Sequence, residues 1–200
     1  ELAKIECKDF VQLTNEQSAA YDSQSNGGTE VGIRLVRGLL RTVKLCLEAR
    51  IEKYIPVDHA IMPWMVEHVC LLLNVLVRGE DGITPWQRVR GRPFGQQMLG
   101  FGESVLYRYP SKGPLHAPDG NVGALWAEGT FLGYSAGSNT FRVIGSQGLV
   151  AARSMTRRSY EDRWSADALA KILVIPNTQY VPQGRGQVRF DEGPTAGGPT

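Results

Sequence analysis

Residues 22–50 read DSQSNGGTEVGIRLVRGLLRTVKLCLEAR, and they predict one long helix that opens beside Asn26-Gly27-Gly28-Thr29-Glu30. At about 100° per residue, six charged side chains fall on one stripe of this helix: Glu30, Arg34, Arg37, Arg41, Lys44 and Glu48. Apolar side chains fall on the other side, which we expect to pack on a core; they are Leu35, Val36, Leu39, Val43, Cys46 and Leu47. One carboxylate therefore begins the stripe, and four cations follow it.

Local signals predict more helices on either side of this one. Residues 2–13 have roughly helical apolar spacing, and Pro56 ends the long helix near residues 50–54. A second helix begins at Pro63 and ends near residue 78, and Thr84 caps a short third one. A last helix is predicted over residues 165–174, with a serine as its cap.

The apolar period changes from 3.6 to 2 after residue 100, which predicts strands at 104–109, 126–134, 140–144 and 149–154. Short strands joined by glycine turns favour a small antiparallel barrel-like module. The predicted fold class is α+β, with four segments. Residues 1–95 are mostly helical, residues 96–160 are rich in β-strand, residues 161–175 are a short helix, and residues 176–200 form a tail predicted to be disordered because Gly, Pro and polar residues dominate it.

Composition and charge exclude few classes of function. The net charge of the 200 residues is +2, so the sum does not indicate a nucleic-acid binder, although basic residues cluster at 34–44, 88–92 and 153–163. The three cysteines have no CxxC spacing and are interpreted as reduced, mostly buried thiols of an intracellular protein. The most apolar run, 65–77, is too short to cross a bilayer, so we expect no membrane partner. Because the first residue is Glu, we expect a piece of a longer polypeptide.

Several segments resemble one family in the order in which that family carries them. Residues 22–30 resemble the last catalytic motif of retroviral-type integrases, in which an Asn-Gly pair precedes a Glu on a helix. Residues 63–74 resemble the next helix of copia-like LTR retrotransposon integrases, and residues 84–93 resemble their TPxExxxGxKP segment. Their FG…GxFLGY…YRV module is similar to residues 101–102, 129–134 and 141–143. The resemblance covers about residues 20–155, the C-terminal part of the integrase of such a Pol polyprotein.

The resemblance implies the end of an RNase H-like core whose Asp, Asp and Glu side chains bind two divalent cations, Mg²⁺ or Mn²⁺, for phosphoryl transfer. It makes Glu30 the catalytic residue and metal ligand. It implies that phosphates are bound by the cations of the stripe, which are Arg34, Arg37, Arg41 and Lys44. Expected partners are DNA (element ends and target) and further copies of the protein, in the nucleus or in a virus-like particle.

The chain also departs from the family pattern. Val31 stands where the family usually has Arg, and the two Asp ligands are expected upstream of residue 1, since Asp9 and Asp22 are poor substitutes. We therefore expect this chain alone to be inactive in strand transfer. The alternative for Glu30 and Arg34 is an ordinary helix ion pair, and the alternative for the stripe is a solvated face. The alternative function is a non-catalytic protein-interaction remnant of a transposable element.

Overall fold

The computed structural model describes residues 27–110, 122–135, 137–146 and 148–176. These residues form a mixed α and antiparallel β structure, which confirms the α+β class. The elements in chain order are α1 (Gly27–Ile51), α2 (Ile61–Leu76), α3 (Pro85–Arg90), β1 (Ser104–Arg108), β2 (Trp126–Ser135), β3 (Thr140–Gly145), β4 (Gly148–Ala152), β5 (Met155–Arg157) and α4 (Ala166–Ala170). The helix predicted over residues 2–13, both Asp9 and Asp22, and residues 177–200 of the predicted tail lie outside the described residues.

The five strands form one antiparallel sheet in the order β4-β3-β2-β1-β5. The strand predicted over 149–154 is β4, which ends at Ala152 and pairs with β3, and a further strand that was not predicted, β5, follows it and pairs with β1. Only residues 153 and 154 separate these two edge strands, and so short a connection spans about 10 Å at most. The sheet must therefore curl at that corner, although in the described residues its pairing is open and no ladder closes it into the predicted barrel.

Two hydrophobic clusters pack against the sheet. One joins the end of α1, α2 and α4 to the sheet; its buried members are Leu47, Ile51, Ile55, Ile61, Trp64, Met65, Phe101, Leu132, Leu169 and Ile172. The other is built from the strands and from Leu99; its strand members are Val105, Tyr107, Phe131, Tyr134, Phe141, Val143, Val150 and Ala152. Strand β2 contributes to both clusters, because consecutive residues of a strand point to opposite faces. A bulge in β2 between Phe131 and Gly133 lies at this place.

The predicted core-facing side of α1 is wrong in part. Leu35 is 51% exposed and Cys46 is exposed, whereas the helix packs through Leu47 and Ile51, supported by Leu40 and Val43. This packing lies in the second of two compact units into which the chain divides, residues 1–35 and residues 36–200. The prediction counted apolar residues near the start of α1, such as Leu35, and these placed the predicted face to one side of the face that packs. The expectation of buried thiols fails for Cys46, and Cys70 is half-buried.

Local capping signals were good predictors. The Thr84 side chain accepts a hydrogen bond from the backbone N–H of Gln87, whose side chain accepts one from the Thr84 N–H in return, and Pro85 stands at the first position of α3. The Ser165 hydroxyl caps α4, but that helix ends at Ala170 instead of continuing to residue 174. No helix in the described ranges is both long and apolar enough to span a bilayer.

Residues 129–134, which carried part of the family resemblance, have structural tasks here. The Tyr134 hydroxyl accepts a hydrogen bond from Leu99 N–H at 2.9 Å and donates one to the Gln97 carbonyl at 2.9 Å, which fixes the segment before β1. Gly145, paired with Gly129 across the sheet, leaves room for Tyr107, because a Cβ there would lie 2.5 Å from the Tyr107 hydroxyl. Tyr107 therefore fits against β3 because Gly145 has no side chain.

Candidate nucleic-acid interface

The boundary between the two units falls inside α1, after Leu35, so the predicted site residues are described by unit. In the described part of the first unit, Glu30 lies in the first turn of α1, and Glu30 and Arg34 are both exposed to solvent. The predicted metal ligand and the first predicted phosphate contact are therefore accessible.

Glu30 alone does not provide the ligands of a divalent cation. Mg²⁺ prefers several oxygen ligands in octahedral geometry, and among the residues that the structure describes no three His, Cys, Asp or Glu side chains are placed to share a metal. The described residues therefore do not fit a resident Mg²⁺ or Mn²⁺, and we derive no metal-dependent step from them.

Arg37 and Arg41 are the two stripe cations of the second unit that face solvent. They lie one turn apart on a regular helix, about 6 Å along its axis. Among the described residues, no carboxylate forms an ion pair with either of them, since all seven ion pairs involve other side chains. The pair is therefore a compact and accessible positive surface.

Lys44, the fourth predicted phosphate contact, is engaged within the protein. Its Nζ lies 2.5 Å from Glu48 Oε1 and 4.4 Å from the centre of the Tyr54 ring, and its side chain is only 15% exposed. The same Glu48 oxygen accepts a hydrogen bond from Ile55 N–H at 2.7 Å. Lys44 and Glu48 thus stabilise the turn of the chain after α1. Lys44 is therefore not part of the exposed surface formed by Arg37 and Arg41.

Several arginines outside α1 are paired with carboxylates. Arg88 contacts Asp81 at 2.7 Å, and Arg158 contacts Glu128 at 2.7 Å. Arg142 is paired with Glu67. Because a paired guanidinium must lose its partner before it can contact a phosphate, these three arginines are weaker candidates for DNA contact than Arg37 and Arg41. Arg92 and Arg153 are exposed and form no ion pair with the described residues, but each stands apart from a second such group on a regular helix.

One ion-pair cluster was missed by the sequence analysis. Glu103 is only 2% exposed, and its Oε1 lies 3.0 Å from Arg157 Nε and 3.7 Å from Arg163 Nε. The Arg157 Nε–H is not aligned on a hydrogen-bond acceptor, so this contact is an ion pair without a hydrogen bond. Glu103 Oε2 accepts a hydrogen bond from Gly100 N–H at 3.0 Å. The only signal in the sequence was a charged residue in an otherwise apolar segment.

Buried aromatic and titratable groups fill the space between α2 and the sheet. His68 is 3% exposed, its Nδ1 has no hydrogen-bond partner in the described residues, and burial lowers the pKa of this imidazole to about 4. Its ring is stacked on Tyr134 with 6.1 Å between centroids, and burial raises the pKa of Tyr134 to about 12. These groups hold α2 on the sheet, so we assign them to the core.

Trp64 and Trp86 make contacts within the protein. Trp64 is buried and donates its indole N–H to the Val174 carbonyl at 2.6 Å, so it belongs to the core. Trp86 is half-buried, edge-on to Phe94 with 5.1 Å between centroids. Neither ring is arranged for stacking on a base.

Comparison of the chain with protein-family models, with curated proteins and with solved structures gave no match. The function is therefore inferred from the surface of α1 and from the motifs in the sequence.

Proposed function

We propose that this chain binds nucleic acid through the exposed arginines of α1. The observation that carries the proposal is the pair Arg37 and Arg41, both exposed and both without an acidic partner in the described residues. A guanidinium binds phosphate oxygens in a bidentate fashion, and a helix holds two such groups at a fixed spacing. Contacts of this kind position a duplex without reading its sequence.

The wider form of the proposal is that the chain belongs to the integrase of a copia-like LTR retrotransposon, as the end of an RNase H-like core followed by a barrel-like module. Its support is the order of the motifs along residues 20–155 and the position of Glu30, exposed in the first turn of α1. On this proposal, DNA integration with Mg²⁺ or Mn²⁺ is the work of a longer protein that supplies two Asp ligands. Its partners are element ends and target DNA in the nucleus or in a virus-like particle.

The test is the salt dependence of binding to an arbitrary duplex, followed by fluorescence anisotropy. Each phosphate contact contributes about 0.9 to the slope of log K against log[salt]. Arg41→Glu should therefore weaken binding about tenfold at low salt and reduce the slope by roughly 1. Arg37→Glu should do the same, and Arg34→Glu tests the first unit in a separate measurement.

Lys171→Glu is the matched control, because it reverses an exposed charge that forms no ion pair with the described residues. Lys44→Gln is a second control, expected to change stability more than affinity. Equal losses for Arg41→Glu and Lys171→Glu would mean that only net charge matters, and the assignment of the α1 surface would be abandoned.

The second candidate function is a non-catalytic interaction protein. It is favoured by the apolar surface that α2 leaves exposed, where Val66, Leu76 and Val77 are 37%, 60% and 48% exposed. Failure to bind duplex DNA at any salt concentration, together with a folded chain, would favour this candidate over the first.

A further inference from the structure

A cavity of about 680 Å³ lies between the sheet and the segment of the chain that follows β5. Strands β2 and β3 contribute Thr130 and Ile144 to one wall, and α4 and the residues on either side of it form the other. The volume is within the range of about 300–1,000 Å³ that is usual for small-molecule sites. The exposed arginines of α1 are not among the lining residues, so this cavity is separate from the candidate DNA-binding surface.

Apolar side chains and hydroxyl groups both line the cavity. The apolar part includes Trp164 and Ile172, and the Trp164 ring is held from outside by Arg50, whose guanidinium carbon lies 4.4 Å from the ring centre. Ser104 and Thr130 are paired across β1 and β2 and supply two hydroxyls. Because a hydroxyl can both donate and accept a hydrogen bond, this lining suits a ligand with an apolar body and amide or amine groups.

Five charged residues also line the cavity, and three of them bind one another. Arg158 lies 2.7 Å from Glu128 and 3.6 Å from Asp162. The other two are Glu161 and Lys171, which are exposed and form no ion pair with the described residues. One carboxylate and one ammonium group are therefore left to interact with a ligand. The three-residue cluster keeps one excess negative charge next to Glu161, which further attracts a cation.

We propose that this cavity binds a zwitterion with an apolar body, the class to which apolar amino acids and short apolar peptides belong. The ammonium group of the ligand contacts Glu161, its carboxylate contacts Lys171, and its apolar part packs on Trp164. A ligand rich in phosphate is excluded by charge, because it would meet three carboxylates and a single unpaired cation. The proposal does not depend on DNA binding by α1.

Four related compounds separate the two charges of the ligand. Phenylalanine carries both, phenylalaninamide only the ammonium group, N-acetylphenylalanine only the carboxylate, and N-acetylphenylalaninamide neither. Amide NMR spectra of the full chain, titrated with each compound, measure the affinities, and the signals of Gly145 and Ala168 report on the cavity walls. Phenylalanine should bind most tightly, and loss of either charge should weaken binding about fivefold, because ion pairs of exposed groups are individually weak.

Two substitutions assign the charges to residues. Lys171→Gln should abolish the difference between phenylalanine and phenylalaninamide, and Glu161→Gln should abolish the difference between phenylalanine and N-acetylphenylalanine. Both positions are exposed, and circular dichroism will show that each variant keeps its fold. Lys53→Gln and Glu80→Gln are the matched controls, since they remove the same charges at exposed positions outside the cavity and should change neither difference.

The dipeptide phenylalanyl-leucine, titrated in parallel, distinguishes the two sources of the ligand: tighter binding than phenylalanine assigns the cavity to peptides, and weaker binding assigns it to amino acids. Equal affinities of the wild-type chain for the four phenylalanine compounds would overturn the proposal. So would an effect of amidation that survives Lys171→Gln. Failure of both phenylalanine and the dipeptide to bind at millimolar concentration would also overturn it, as expected if another segment of the chain or a second copy fills the cavity.

Discussion

Replacing Glu103 by Gln should destabilise the protein far more than the same change at an exposed ion pair. The carboxylate is 2% exposed, and two guanidinium groups lie within 3.7 Å of its Oε1. Gln keeps the size of the side chain but removes the charge that holds Arg157 and Arg163 against the segment before β1. The perturbation is therefore electrostatic, with little change in packing.

The magnitude follows from burial. Removing one partner of a buried ion pair costs about 3–5 kcal/mol when the remaining charge cannot reach water. The two guanidinium groups are 35% and 28% exposed in the protein, so both regain part of their hydration. We therefore expect a loss of about 2–3 kcal/mol in the free energy of unfolding, which in a domain of this size lowers Tm by roughly 5–10 °C.

Glu128→Gln is the matched control. Glu128 lies 2.7 Å from Arg158, a shorter distance than any in the Glu103 cluster, but its side chain is 69% exposed. An exposed pair contributes about 0–1 kcal/mol. Urea unfolding followed by tryptophan fluorescence measures both variants with one assay. Equal losses at the two positions, or a loss below about 0.5 kcal/mol for Glu103→Gln, would refute the reasoning that burial sets the cost.

Two further predictions concern the core. Gly145→Ala should lower the free energy of unfolding by about 1–3 kcal/mol through overpacking, since the new Cβ would lie 2.5 Å from the Tyr107 hydroxyl. Calorimetry should show that Tyr107→Phe partly restores this loss. The control Gly137→Ala should have little effect, because there is open space around that glycine. His68 should make the stability of the fold depend on pH, because burial lowers the pKa of this imidazole from 6.5 to about 4. The contribution of neutral His68 to the free energy of unfolding is complete above pH 6.5 and is lost as the pH falls toward 4. Between pH 7 and pH 5 this loss is about 2 kcal/mol, and urea titrations should find it reduced in His68→Gln; an unchanged pH dependence would contradict the assignment.

Signals that act within a few residues were enough to predict much of the fold. Thr84 and Ser165 begin helices because their hydroxyls accept bonds from N–H groups three residues away. Alternating apolar residues predicted β1 to β4 to within two residues at either end. The three-residue strand β5 was not predicted, because it is short and its pairing with β1 depends on residues about fifty positions away.

The exposure of the candidate DNA-binding residues of α1 was predictable only for side chains that make no tertiary contact. Arg37 and Arg41 are exposed, as the charge pattern of the helix indicated. Lys44 belongs to the same row, but the chain turns back after α1 and brings the Ile55 N–H to Glu48 Oε1, the oxygen that Lys44 also contacts. Helical periodicity contains no information about that reversal, so it could not separate a structural lysine from the accessible arginines.

The position of Phe131 and Leu132 has a consequence for cooperativity. One peptide bond joins a residue of the strand cluster to a residue of the helix cluster, and both side chains are fully buried. Neither cluster can open without disturbing the strand that the other requires, so local opening of one should be coupled to the other. We expect the β2 amide protons that pair with β1 and those that pair with β3 to exchange with solvent only through the same global unfolding event.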